Sequence, residues 1–184
     1  MKIYLDNNAT TKVDKNVAKA MQDAMLKTYG NPGSLHYMGD EAKELIEQAR
    51  ATIAKELNAR PEEIIFTSGG TESNNLAIKG IVTSTNKKHI ITSKIEHPCV
   101  LETCKALERQ GYTVTYLPVD KEGFVSPKQV EEAITSDTAL VTIMAANNEI
   151  GTIQPIEEIA KICSAKKVPF HTDAVQAFKK IPID

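Results

Sequence analysis

Apolar positions along the chain recur in two alternating rhythms. From Gly39 to Leu57, Ala42, Leu45, Ile46, Ala49, Ile53 and Leu57 fall at helical spacing with Lys, Glu, Gln and Arg between them. That spacing predicts an amphipathic helix lying on a core. Glu62–Thr67 (EEIIFT) is a short β-branched and aromatic run, SGGTESNN follows, and a new helical pattern runs through Leu76, Ala77 and Ile78. Strand, glycine turn, helix is the reading. The unit then repeats. HIITS (89–93) reads as a strand, and HPCVLETCKALERQG (97–111) as a helix opened by Pro98 and closed by Gly111. TVTYLPV (113–119) is a strand, followed by the turn DKEG and the helix SPKQVEEAI with Ser126 as N-cap and Pro127 at its first position. ALVTIMA (139–145) is a buried strand, PIEEIAKICSAK a helix, and VPFHT the last strand.

Alternating β and α elements of this kind predict an α/β fold, a mostly parallel sheet with helices on both faces. Ahead of it, MKIYLDNNATT reads as a short strand leading to a polar turn, Lys15 to Thr28 as a helix, and YGNPGSLHYMGD as an ordered loop. The chain of 184 residues is the length of one ordinary domain. Residues 1–38 then form an N-terminal strand, helix and ordered loop, and 39–184 the α/β body.

Composition narrows the class without altering that reading. Hydrophobic residues at 41% and charged residues at 25% fit a folded globular protein, and a net charge of -2 gives no field that would attract a polyanion. There is no basic stripe, zinc-ligand spacing or RNA-binding aromatic strand, so no nucleic-acid partner is expected. The opening MKIYLDNNATTKVDK carries an acid and no apolar run, unlike a signal or transit peptide, and no stretch is long and apolar enough for a bilayer. A cytoplasmic location and no membrane partner are the expectation. Cys99, Cys104 and Cys163 form no CxxC pair, which argues against a disulfide framework and against a metal site.

In open α/β sheets ligands collect beyond the carboxyl ends of the strands, and the residues of chemical interest fall there. Ser68-Gly69-Gly70-Thr71-Glu72 follows a strand and opens a helix. Free backbone N–H groups, the helix dipole and two hydroxyls would converge on an anion, with a phosphate as the natural guest; the alternative is a capped turn in which Thr71 merely starts the helix. His97 precedes a helix start, where a histidine is a cap, a surface residue or a ligand. Asn147-Asn148-Glu149 follows the strand ALVTIMA and is either a hydrogen-bonded turn or part of a site. Asp173 and Gln176 follow the last strand, and an acid there is costly to bury without a cationic partner. A phosphate-bearing aromatic cation would use all four strand ends: phosphate on the helix N-terminus, His97 on the ring, Asn148 and Gln176 on a ring oxygen, Asp173 on a pyridinium proton. Pyridoxal phosphate has those features.

The same residues carry a family resemblance. YLDNNATT, YGNPGSLH, FTSGGTESNNLAIKG, SKIEHPCVL, ANNEIGTIQP and HTDAVQ, in this order from residue 3 to the end, resemble the pyridoxal-phosphate cysteine desulfurases. These are the nitrogen-fixation and iron–sulfur assembly enzymes among the class V aminotransferases. The resemblance implies the large cofactor-binding domain of fold-type I pyridoxal-phosphate enzymes and conversion of L-cysteine to L-alanine, with the sulfur held as an enzyme persulfide. It also implies a homodimer and a sulfur-accepting scaffold or thiolation protein as partner. Gly70 and Thr71 correspond to the phosphate-contacting pair, His97 to the ring-stacking histidine and a proton carrier, Asp173 to the pyridine-nitrogen partner, and Asn148 and Gln176 to the residues beside the phenolic oxygen. Gly70 stands where the family has Ala or Cys, and Gly33 where Ser is common.

The family's Schiff-base lysine lies in a serine-histidine-lysine segment after Asp-x-x-Gln, and its acceptor cysteine much further on. Neither position falls within these residues. Lys179 and Lys180 follow Gln176 too closely and read as a solvated pair. Cys104 and Cys163 sit on apolar helix faces, while Cys99 opens a helix, where a thiol pKa is lowered. The expectation is the amino-terminal portion of a desulfurase, inactive alone; the alternative is a non-catalytic assembly or phosphate-ligand-binding module on the same fold.

Overall fold

The computed structural model describes residues 1–183. They form two compact units: Met1–Ala9 with Thr67–Pro182, and Thr10–Phe66. The first holds a four-stranded parallel sheet built from β1 (His89–Ser93), β2 (Thr113–Leu117), β3 (Thr138–Thr142) and β4 (Phe170–His171), in the order β2-β1-β3-β4. Between the strands run α3 (Gly70–Thr83), α4 (Pro98–Glu108), α5 (Pro127–Ala133) and α6 (Ile156–Ala165); α1 (Lys15–Lys27) and α2 (Tyr37–Glu56) belong to the second unit.

The strand order decides which face each helix covers. β1 to β2 crosses the sheet in one direction, whereas β2 to β3 and β3 to β4 cross in the other, so right-handed crossovers place α4 opposite α5 and α6. The core obeys this. Ile90 of β1 and Leu140 of β3 pack with Ile78 and Val82 of α3 and with Val100, Cys104 and Leu107 of α4. Their neighbours Ile91 and Val141, on the opposite face by the two-residue period of a strand, pack with Val130 of α5 and with Ile159 and Cys163 of α6. Because β1 leads one way and β3 the other, the topology switches between their carboxyl ends, which opens a crevice there.

Local chemistry sets the element ends. His97 and Ser126 accept from the backbone N–H groups of Cys99 and Gln129 and cap α4 and α5, with Pro98 and Pro127 each at a first-turn position that needs no N–H. β2 stops at Leu117 rather than Val119 because Pro118 has no ladder donor. α1 spans Lys15–Lys27 and is capped by Asp14 Oδ1, which accepts from Asn16 N at 2.7 Å. Between α1 and α2 the loop is ordered by Asn31, whose Oδ1 and main-chain O accept from Gly33 N and Ser34 N, both at 2.9 Å.

Two expected strands do not form among the described residues. In EEIIFT, Pro61–Glu63 form a 3-10 turn in which Glu63 Oε2 accepts from Arg60 N at 2.8 Å. Ile64 is extended, but its carbonyl accepts from the Arg50 guanidinium, which also lies 4.9 Å over the Phe66 ring. Ile65 is therefore 69% exposed, and Ile64–Thr67 pair with no strand among the described residues. Within MKIYLDNNATT the first six residues form no strand among the described residues, and Ile3, Tyr4 and Leu5 are exposed. α2 forms as its period predicts, yet it buries only Gly39, Ala42 and Ala54, while Leu45 and Ile46 face solvent.

Two substitutions check this description of the core. Leu140→Ala, at a fully buried site in the central strand, is expected to cost about 2–5 kcal/mol in urea unfolding. Leu76→Ala, at a 52% exposed position of α3, is expected to stay within about 0.5 kcal/mol.

Candidate active site

All six residues expected to contact the cofactor, Gly70, Thr71, His97, Asn148, Asp173 and Gln176, line one cavity of about 230 Å³ at the switch point, together with Ala9, Asn74, Cys99, Met144, Ala146 and Val175. The cavity is built from the strand ends inward. After β4 the chain continues alongside β3: Ile143 N donates to His171 O at 3.1 Å and Ala145 N to Asp173 O at 2.9 Å. These bonds fix the Asp173 main chain at the sheet's edge.

α3 supplies one wall. Its N-cap is Gly69, which offers no side-chain acceptor, and the first helical bond runs from Ser73 N to Gly69 O at 3.0 Å. The amides of Gly70 and Thr71 lie ahead of that bond, where a helix leaves its donors for an outside anion. Of the two hydroxyls expected there, only Thr71 lines the cavity. Ser68 is drawn to Glu72, whose Oε2 accepts from both Ser68 N and Ser68 Oγ at 2.6 Å and whose pKa is lowered by those bonds. A Cβ at Gly70 would lie 2.8 Å from Val175 Cγ2, so a side chain there would require the exposed Val175 to shift.

Asp173 dominates the charge of the site. It is only 7% exposed; Oδ1 accepts from Val175 N at 3.0 Å and Oδ2 from Asn74 Nδ2 at 2.8 Å. Among the described residues no lysine, arginine or histidine forms an ion pair with it. A carboxylate buried with two neutral donors and no ion pair among the described residues leaves its charge open to a cationic group.

The other residues divide into scaffold and lining. Asn147 is scaffold: Nδ2 donates to Ile95 O at 2.9 Å, and Oδ1 accepts from Glu149 N at 2.8 Å and Ile150 N at 2.9 Å, which leaves Asn148 as the cavity residue of that pair. Gln176 Nε2 donates to Ala9 O at 3.3 Å, and its Oε1 accepts from Lys180 Nζ at 2.9 Å, with Lys179 and Lys180 both exposed. His97 is an exposed ring whose Nδ1 is taken up by the cap of α4. His89 and His171 are tied to threonines instead, His171 Nδ1 lying 2.8 Å from Thr142 Oγ1, and burial lowers the pKa of both.

Cys99 departs from the sequence expectation. The helix N-terminus was expected to lower its pKa, but burial raises it, with the nearby Asp173 charge adding to the rise, and these outweigh the bond from Asn74 Nδ2 at 3.1 Å. Cys104 and Cys163 are buried and pushed up by burial to about 12 and about 11. Two site residues were missed altogether. Asn74 lies one turn into α3 and carried no motif signal beyond its place in TESNN. Glu96, beside His97, is 4% exposed, and its Oε1 accepts from Ser93 Oγ at 2.6 Å and Met144 N at 3.0 Å, tying the β1 end to the β3 end.

With this geometry the family follows. The class V aminotransferase family model matches residues 3–184, and the chain belongs to that family. Within it, the chain is 54% identical to the cysteine desulfurase IscS of Dictyoglomus turgidum over 184 residues, covering 99% of this chain and 47% of that protein. A solved NifS-like protein superposes with a TM-score of 0.94 at 47% identity, covering all of this chain and 52% of its own. SspA solved in complex with cysteine gives a TM-score of 0.94 at 48% identity, covering 98% of this chain and 53% of that one. The chain thus spans about half the length of these relatives. Its sheet and flanking helices are those of fold-type I pyridoxal-phosphate enzymes.

Burial raises the Glu96 pKa from 4.5 to about 7. The unfolded carboxyl ionises near 4.5 while the folded one holds its proton, so stability is full below that pH and falls as pH rises to about 7. The expected loss across this window is about 3 kcal/mol. Urea unfolding of Glu96→Gln, which keeps the acceptor for Met144 N, should show that slope removed.

Proposed function

We propose that this chain is the cofactor-cradling portion of a pyridoxal-phosphate-dependent cysteine desulfurase, and that the complete protein converts L-cysteine to L-alanine. In the net reaction the substrate C–S bond breaks, the sulfur joins an acceptor thiol as a persulfide, and the proton of that thiol ends on the alanine methyl group. The persulfide then feeds iron–sulfur cluster or thio-cofactor synthesis through a scaffold or thiolation protein. The relatives' names and the cysteine-bound neighbour support this substrate class. A homodimer, implied by the family resemblance, and a cytoplasmic location, expected from the chain's opening residues, belong to the same proposal.

The donor set fits pyridoxal phosphate. The amides of Gly70 and Thr71, with the Thr71 hydroxyl, would hold its phosphate. Asp173 would hold the protonated ring nitrogen, Asn148 and Gln176 the phenolic oxygen, and His97 the ring face. The observation that carries the reading is Asp173 itself: buried, held by two neutral donors and unmatched by any cation among the described residues. When bound, pyridoxal phosphate supplies an electron sink for the substrate's α-carbon.

The residues of this chain have distinct tasks in that reaction. Asp173 would favour a proton on the ring nitrogen of a bound cofactor by placing its carboxylate beside it. His97, with Nδ1 accepting from Cys99 N at 3.2 Å, holds its own proton at Nε2, the nitrogen we assign to proton transfer. Ala146, Met144 and Val175 add apolar lining that limits water around the ring. Cys99, its thiol kept protonated by burial, is not assigned as sulfur acceptor. The acceptor cysteine and the cofactor-bearing lysine are assigned to the part of the complete protein that the relatives have beyond this match.

Equilibrium titration with pyridoxal phosphate, followed by absorbance, tests the reading on this chain. Saturable binding is expected, weakened about 10- to 100-fold in Asp173→Ala and about 10-fold in Thr71→Ala. Undiminished binding by Asp173→Ala would contradict it.

A further inference from the structure

Asn74 is 4% exposed, on the second turn of α3, and its Nδ2 lies 2.8 Å from Asp173 Oδ2 and 3.1 Å from Cys99 Sγ. One amide nitrogen with two hydrogens therefore serves a carboxylate and a thiol 74 residues apart in sequence, 99 and 25 positions from itself. Apart from the main-chain donor of Val175, this amide is the only donor to the Asp173 carboxylate among the described residues.

From this geometry we propose that Asn74 is the positioning residue through which α3 fixes the direction of the Asp173 carboxylate and keeps it a charged acceptor for the ring nitrogen. The inference rests on the pyridoxal-phosphate reading above and goes beyond it by assigning the control of Asp173 to a residue outside the contact set. A buried carboxylate holds its charge in proportion to the donors it receives, and the Val175 amide satisfies Oδ1 alone. Without Asn74, Oδ2 would lose its side-chain donor while remaining buried, and the carboxyl would be held by the Val175 amide at Oδ1 alone. The same α3 presents Gly70 and Thr71 to the cavity. One helix thus sets the spacing between the phosphate cradle and the group that meets the ring nitrogen.

The surroundings do not offer a substitute. The ionisable groups around the pair are Glu96 from the β1 end, His97 and Cys99 from the start of α4, and His171 from β4. Glu96 Oε1 is committed to Ser93 and Met144, its buried Oε2 makes no hydrogen bond to Asp173, and His171 Nδ1 is committed to Thr142. His97 Nδ1 is committed to the cap of α4. None of them donates to Asp173 among the described residues.

The test uses pyridoxamine phosphate, which needs no lysine, labelled with ¹⁵N in its ring and bound to this chain. The ring-nitrogen chemical shift reports its protonation directly as pH is raised. In the wild-type chain the ring should hold its proton to a higher pH than it does free in solution. In Asn74→Leu, of similar size and without the donor, the titration is expected to move down by about one to two pH units. Affinity for inorganic phosphate should stay within about twofold of wild type, because the Gly70 and Thr71 amides are untouched. Asn74→Asp is the rescue. Two carboxyls at this distance share one proton, so the new acid would donate to Asp173 as the amide does and restore the wild-type titration at neutral pH.

A ring titration unchanged in Asn74→Leu would overturn the assignment of Asn74 while leaving the cofactor reading intact. If the wild-type chain does not bind pyridoxamine phosphate, the cofactor reading fails and this inference fails with it. Should Asn74→Leu not fold, the Asn74→Asp chain still decides: a ring that deprotonates there as early as in Asp173→Ala contradicts the proposal.

Discussion

A carboxylate taken out of water must be met by something, and at Asp173 it is met, among the described residues, by two neutral N–H donors and no ion pair. Much of the architecture around the site can be understood from that constraint. The sheet brings Asp173 to the crevice by main-chain bonds from β3 to the segment after β4, and α3 crosses beneath to contribute Asn74. The same helix turns its N-terminus, which has no side-chain cap, to the cavity, so the proposed phosphate cradle and the Asn74 donor to Asp173 stand on one helix. A ligand carrying phosphate at one end and a protonated heteroaromatic nitrogen at the other answers both.

The strand order explains why these groups meet at all. Four segments distant in sequence end at the same edge of the sheet because parallel strands point their carboxyl ends one way, and the reversal between β1 and β3 opens the crevice. Glu96 and Asn147 then stitch the β1 and β3 ends together through Met144 N and Ile95 O. These side-chain bonds to main-chain atoms tie the strand ends together at Met144, which lines the cavity.

Much of this was legible from the chain alone where the signal is local. HIITS is β1 residue for residue, and Ser126 caps α5 as its position before Pro127 implies. The six expected site residues converge because strand tips in this fold class converge. What was illegible depends on distant partners. EEIIFT has strand composition, but Arg50, from another helix, takes its carbonyl and stacks on Phe66, and no strand among the described residues pairs with it. Asn74 looked like one more polar helix residue, because its partner lies 99 positions away. Cys99 looked activated by its helix end, and only its burial in the folded chain shows desolvation winning.

The central claim is that one cavity binds a phosphate at α3 and a pyridinium at Asp173. Amide NMR of the chain during titration with pyridoxamine phosphate, and separately with inorganic phosphate, tests it most directly. Gly70 and Thr71 should shift with both ligands, whereas the Val175 amide, which donates to Asp173 Oδ1, should shift only with the ring-bearing one. Shifts centred instead on the second cavity, between Val119 and Gln129, or a Val175 response to inorganic phosphate equal to that of pyridoxamine phosphate, would contradict the account.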